Sequence, residues 1–176
     1  MLPAATQTEY LGELLSAPGY LGELYLATLT PDASTFVNGA FLNPDSFETT
    51  LLGSDAGFTY PDATHGFMFV KVYGPTTGVG AAGASVTLSN GANAVYTGSD
   101  GTPDPELTAT TTSPVVLFGN LAPGPVELTV TAPGMTCTVQ TGGILEGDWP
   151  PMATGATAAA EIAPAALTDN ITVFCM

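Results

Sequence analysis

Cys137 and Cys175 are the only two cysteines of the chain, and each lies in a run of alternating residues: Met135-Thr-Cys-Thr-Val-Gln140 and Asn170-Ile-Thr-Val-Phe-Cys175. Thiols placed this way in a strand-rich chain are expected to form one strand-to-strand disulfide, which belongs to an oxidising compartment. The alternative is two buried free thiols, since cysteine packs as a small apolar side chain. A second cluster is Asp100-Gly-Thr-Pro-Asp-Pro-Glu106, which brings Asp100, Asp104 and Glu106 onto one loop. Such oxygen donors are the kind calcium takes, but the spacing is not Asp-x-Asp-x-Asp and two prolines stiffen the loop. A solvated turn is the plainer reading, and no other cofactor is indicated. His65 is the only histidine, so one chain cannot build a multi-histidine zinc site; Asp55, Asp62 and His65 form a looser acid–imidazole group.

Catalytic patterns are missing from the sequence. No Gly-x-Ser-x-Gly elbow precedes a helix, and any Ser-His-Asp arrangement would have to use His65. The single basic residue is Lys71, so there is no arginine clamp for phosphate or carboxylate, and no P-loop. Acid pairs suited to glycoside hydrolysis can always be drawn among 16 carboxylates, and no spacing singles one out. We therefore expect no enzyme. Trp149, in Asp148-Trp-Pro-Pro151, is the only tryptophan, and with Tyr60, Tyr73 and Tyr96 it is a candidate for stacking on a sugar. The alternative is a tryptophan that plugs one end of a core.

Composition narrows the partners further. One basic residue against 16 acids gives a formal charge of −15, so no cationic patch exists to hold nucleic acid or an anionic membrane surface. Only 10% of residues are charged while 45% are hydrophobic, which is enough apolar material for a core and unlike an acidic disordered tail. The surface must be built from Thr, Ser, Ala, Gly, Pro and Asn, as suits an extracellular bacterial β-protein. No run approaches the roughly 18 apolar residues of a membrane-spanning helix. The start, Met1-Leu-Pro-Ala, lacks the basic and apolar regions of a signal peptide. Export would then rest on a signal or anchor outside this sequence.

Two regions differ in texture. Residues 1–60 carry an echo, Tyr10-Leu-Gly-Glu-Leu14 and Tyr20-Leu-Gly-Glu-Leu24, split by the turn signal Ser16-Ala-Pro-Gly19. Tyr20–Leu29 is a strand or a short helix, and Ser46–Leu52 is the best candidate for a short helix, capped near Asn43 or Asp45. Residues 61–176 alternate short β-type runs with turns. The runs are Phe67–Tyr73, Ala84–Leu88, Ala94–Thr97, Pro114–Phe118, Val126–Thr131, the two cysteine runs, and Ala158–Ile162. About seven short strands spaced about 8–12 residues apart point to an antiparallel, immunoglobulin-like sandwich, all-β, with an N-terminal extension of mixed or irregular structure.

Within this pattern stand Lys71-Val-Tyr-Gly, Gly83-Ala-Ser-Val-Thr-Leu88, Asp100-Gly101, Val116-Leu-Phe-Gly-Asn-Leu-Ala-Pro-Gly124 and Val126-Glu-Leu-Thr-Val-Thr-Ala-Pro-Gly134. In this order they resemble the carboxypeptidase regulatory-like (transthyretin-like) and Cna-B-type surface domains, over roughly residues 66–136. The resemblance implies a seven-stranded sandwich at 61–176 and a non-catalytic role as stalk, adhesin or scaffold module. It also implies a test for Lys71. In some Cna-B-type domains a first-strand lysine forms an isopeptide bond to an amide on the last strand, helped by a buried acid. Here Cys175 stands where the amide would be, Val130 stands where the acid would be, and Glu127 lies three residues early. The disulfide is expected to do the stapling instead.

Ala132-Pro-Gly134 is echoed by Ala17-Pro-Gly19, so residues 1–60 are either the tail of a preceding module or an arm. The expected function is a structural or interaction module outside a bacterial cell, partnered by other protein modules or surface glycan. Two alternatives stand beside it. One is a fibre subunit that adds its N-terminal segment as a strand to a neighbour; the other is a glycan- or calcium-binding module.

Overall fold

The computed structural model describes residues 8–13, 22–29, 49–140 and 155–176. These are mostly strand: β1 (Thr8–Glu13), β2 (Gly22–Leu29), β3 (Gly66–Tyr73), β4 (Ser85–Leu88), β5 (Val95–Thr97), β6 (Pro103–Asp104), β7 (Val115–Leu121), β8 (Gly124–Thr131), β9 (Cys137–Val139), β10 (Thr157–Ile162) and β11 (Ala166–Cys175). Tyr20–Leu29, ambiguous in sequence, is strand from Gly22. The echo Ala17-Pro-Gly19, the cap candidates Asn43 and Asp45, and Trp149 lie outside the described residues.

The expected short helix over Ser46–Leu52 is instead a π-helical segment, Thr49–Asp55. Its wide turn shows in the bond from the Ala56 N–H back to the Leu51 carbonyl. Two β-branched threonines and Gly53 make a poor α-helix, while Leu52 and Ala56 are both driven into apolar surroundings.

The strands form two sheets. The larger runs β1-β2-β11-β3-β7-β5-β6, with β9 also on β11; the smaller runs β10-β8-β4. The expectation of purely antiparallel pairing is corrected here, because the larger sheet is mixed: β11 runs parallel to both β2 and β3. The cause is the corner between β10 and β11. Ala165 takes a left-handed φ of 53°, and its N–H bonds the His65 carbonyl. That bond sets the start of β11 beside the start of β3, so both strands leave in the same direction.

Alternation then sorts the core. Met68, Val70 and Val72 of β3 join Val116, Phe118, Val126, Leu128, Val130, Ala158, Ile162, Ile171 and Val173 in one cluster that draws on both sheets. Phe67 and Phe69 face the other way and join Leu117, Val95 and Leu167 beneath Leu52 and Ala56. β3 is thus covered on both faces over residues 66–70. Leu52 is 0% exposed, and burying such a side chain is worth about 1.5–3 kcal/mol, so segment 49–60 is held on the sheet by its own apolar residues. Along β11, a register shift between Thr168 and Ile171 turns the side-chain sequence over. Leu167 serves the outer cluster and Ile171 the inner one.

The turn signals are used as their chemistry suggests. Gly91, Gly101 and Gly134 all take positive φ, of 74°, 86° and 72°, which glycine adopts at little cost. One sheet edge is closed by side chains. The Val86 N–H of β4 donates to the Tyr96 hydroxyl at 3.1 Å. Just ahead of it the Ala84 N–H donates to Thr110 Oγ1 at 2.9 Å, and the Thr110 N–H donates to the Ala84 carbonyl. An edge occupied in this way offers little to a foreign strand.

Candidate functional site

The cysteines are bonded. Cys137 and Cys175 are register partners across β9 and β11, joined by a disulfide, and both are buried in the inner cluster. The neighbouring pair, Thr136 and Met176, exchanges two main-chain hydrogen bonds, of 2.7 and 2.9 Å. The bridge closes a loop with a sequence separation of 38, for which the chain-entropy model gives about 4 kcal/mol of stabilisation.

β11 therefore sits between β3 on one side and, on the other, β2 against its first half and β9 against its second. Lys71 of β3 lies in register with Thr172 of β11 and Val115 of β7. It occupies the face of Phe67, Phe69 and Tyr73, opposite to that of Met68, Val70 and Val72. Glu127 is exposed on β8, whose neighbours Val126 and Leu128 face the shared core. Lysine and acid are thus on the outer faces of different sheets, with the core between them, and the arrangement does not gather an isopeptide site.

The acidic loop is organised around its own backbone. Asp100 Oδ1 accepts from the Thr102 hydroxyl at 2.7 Å and from the Thr102 N–H at 3.1 Å. The side-chain bond, followed by the main-chain bond, lowers its carboxyl below the usual range. Asp104 Oδ1 accepts from the Glu106 N–H at 2.9 Å. Among the described residues no three His, Cys, Asp or Glu side chains come together as a metal site. The aromatic candidates are scattered too. Tyr96 is in the inner core, Tyr60 packs on Phe67 with ring centres 5.6 Å apart, and Tyr73 stacks on Phe174 at 5.7 Å.

A dense polar constellation lies where segment 58–65 meets β7. Asp62 Oδ2 is 2.8 Å from His65 Nδ1. Asp62 Oδ1 accepts from the Thr64 hydroxyl at 2.7 Å, the Thr64 N–H at 2.8 Å and the His65 N–H at 3.2 Å. These bonds, the Thr64 hydroxyl first, hold the Asp62 carboxyl well below the ordinary carboxylate range. Asn120 then clamps the segment. Its Oδ1 accepts the Thr59 N–H, and its Nδ2 donates to the Thr59 carbonyl and to Asp62 Oδ2.

Asn120 takes φ 53°, a conformation asparagine tolerates better than most residues. Beside it Gly119 faces the Phe58 ring so closely that a Cβ would lie 2.2 Å from a ring carbon. The motif Phe118-Gly-Asn-Leu121 is therefore a dock for the segment ahead of β3.

Chemically, Asp62 fixes one edge of the imidazole of His65, whose side chain is 42% exposed. The Thr64 hydroxyl lies 2.9 Å from the same Nδ1, so acid and hydroxyl share one ring nitrogen. A nucleophile relay needs them on opposite nitrogens. The sequence grouped Asp62 with His65 but gave no sign of the Asn120 clamp, because its partners lie about 60 residues away. The one available signal was Pro61-Asp-x-Thr64, a turn in which the aspartate caps its own backbone. No family model, curated protein or solved structure matches this chain. The functional reading therefore rests on the geometry.

Proposed function

We propose that the chain is a non-catalytic structural module of a bacterial surface or secreted protein, in which residues 61–176 are a transthyretin-like or Cna-B-like sandwich that carries tension. The observation behind this reading is the pairing of β3 with β11. The two strands are neighbours, run parallel, and share six register pairs from Leu167↔Phe67 to Phe174↔Tyr73. Pulling the start of β3 against the end of β11 drags the strands along each other, so every main-chain bond between them is loaded at once. Pulling both from the same end would open the bonds one after another. The disulfide supports the same reading, because it ties the end of β11 to β9 covalently. The bridge is compatible with the extracellular setting proposed here, since an oxidising environment preserves it.

Single-molecule pulling tests this. Handles at Ala63 and Met176 load the pair in shear; handles at Ala63 and Pro164 peel it open. The shear geometry is expected to unfold at a markedly higher force. Equal forces in the two geometries would remove the mechanical reading.

A further inference from the structure

In the larger sheet the joint between β2 and β11 is short and has no covalent tie. β2 meets β11 through three register pairs, Ala166↔Gly22, Leu167↔Glu23 and Thr168↔Leu24. β1 and β2 pair with each other over six, from Thr8↔Leu29 to Glu13↔Leu24. The hairpin thus holds itself together over twice the length by which it holds the sheet, and its contact to β11 is parallel, the weaker pairing per residue. It is expected to leave β11 as a unit.

A two-stranded hairpin alone is marginal in water, so once detached it must dock again. Three other edges resist it, and β10 is met on its free side by β11, where the Thr168 hydroxyl donates to the Glu161 carbonyl. β4 is capped by Tyr96 and Thr110, β6 is two residues long and starts with proline, and the far half of the β11 edge is held by β9 through the disulfide. The site that fits is another Ala166–Thr168 edge, and that edge exists on every copy of this chain.

Residues 30–48 join the hairpin to Thr49, a length of chain whose contour is at most about 65 Å, enough to reach a neighbouring molecule. A second, independent observation concerns valency. The tripeptide that β11 accepts, Gly22-Glu-Leu24, occurs again as Gly12-Glu-Leu14, so each chain carries two such segments and one such edge. We propose that the β1–β2 hairpin is exchanged between copies of this chain, with a Gly-Glu-Leu segment of one molecule pairing with Ala166–Thr168 of the next. The partner is a second copy, and the interface is the native β2–β11 joint made between molecules. The inference deepens the structural reading above, since it says how such modules join, and it rests on that reading.

Cysteine trapping on the full chain tests the exchange. Three variants are made: Gly22→Cys, Ala166→Cys, and the double variant carrying both. The first two are mixed, unfolded and refolded together under oxidising conditions at about 1 mM, where pairing between molecules competes with pairing within one. Bridges are then mapped by mass spectrometry. The expected result is a 22–166 bridge between the two single variants, and an internal 22–166 bridge in the double variant when dilute. An internal bridge without any intermolecular one, across a concentration series reaching 1 mM, overturns the exchange. Failure of the internal bridge as well removes the β2–β11 joint itself, and the exchange with it. Neither outcome touches the shear test of β3 against β11, so failure of the exchange and failure of the structural reading are told apart.

Discussion

Asp62 has no long-range ionic partner in its cluster; its charge is held by short bonds from Thr64, His65 and Asn120. Because its folded-state carboxyl is lowered, the unfolded chain takes up the proton first as pH falls. The stabilisation is complete above the ordinary aspartate value of about 3.9 and is lost progressively below it. Urea unfolding at a series of pH values is expected to show stability declining from about pH 4 downward, and less steeply in Asp62→Asn. Identical slopes for the two proteins would sink this assignment. Asp100, lowered by Thr102 in the same sense, accounts for part of the decline that remains in the variant.

Residue-scale roles were legible where a side chain acts on its own backbone, as in Pro61-Asp-x-Thr64 and Asp100-Gly-Thr102. They were hidden where the partner is distant. Nothing local to Asn120 says that it holds Thr59, and nothing local to Tyr96 says that its hydroxyl covers the Val86 N–H.

Elements were legible through alternation and turns. The runs at Phe67–Tyr73, Val126–Thr131 and Ala158–Ile162 became β3, β8 and β10, separated by turns. Direction was not legible. Alternation tells inside from outside and carries no information on whether β11 lies parallel or antiparallel to its neighbours. It even misleads on face, because the bulge after Thr168 reverses the sense within one strand. That Lys71 shares a face with Phe67, Phe69 and Tyr73 followed from alternation, but which face of β3 is the inner one did not, since both have apolar cover.

Docking of segment 49–60 is a matter between elements: the outer face of β3 and β7 receives Leu52, Ala56 and Phe58 through Gly119. Gly119→Ala places a methyl group inside the Phe58 ring. The ring must leave, and we expect a loss of about 1–3 kcal/mol in equilibrium unfolding. A second substitution, Phe58→Ala, placed on top of it should recover much of the strain while losing the ring's burial. A Gly119→Ala protein as stable as the parent would show that Phe58 does not sit there.

At the scale of the whole molecule, the disulfide divides the chain into a part that tension can extend and a part it cannot. With the bridge intact, once β3 and β11 have separated, tension applied at Met176 passes from Cys175 to Cys137, and the residues between them stay out of the stretched path. Reduction should lengthen the extension released on unfolding by about 130 Å, from a sequence separation of 38 at roughly 3.3–3.6 Å per residue. Pulling traces with and without reductant measure this directly; an unchanged extension would mean the bridge is absent in solution.

The position of β11 also governs the order of assembly. It is the last of the eleven strands among the described residues, yet it is the plank between β3 and the pair β2 and β9. Until Ala166–Cys175 are in place the larger sheet has a gap down its middle, and no earlier set of strands can close it. Contacts that span most of the chain must therefore form in the same step that completes the core. Such a topology folds slowly, and a partly made chain lacks the joint between β3 and β9 until this strand arrives.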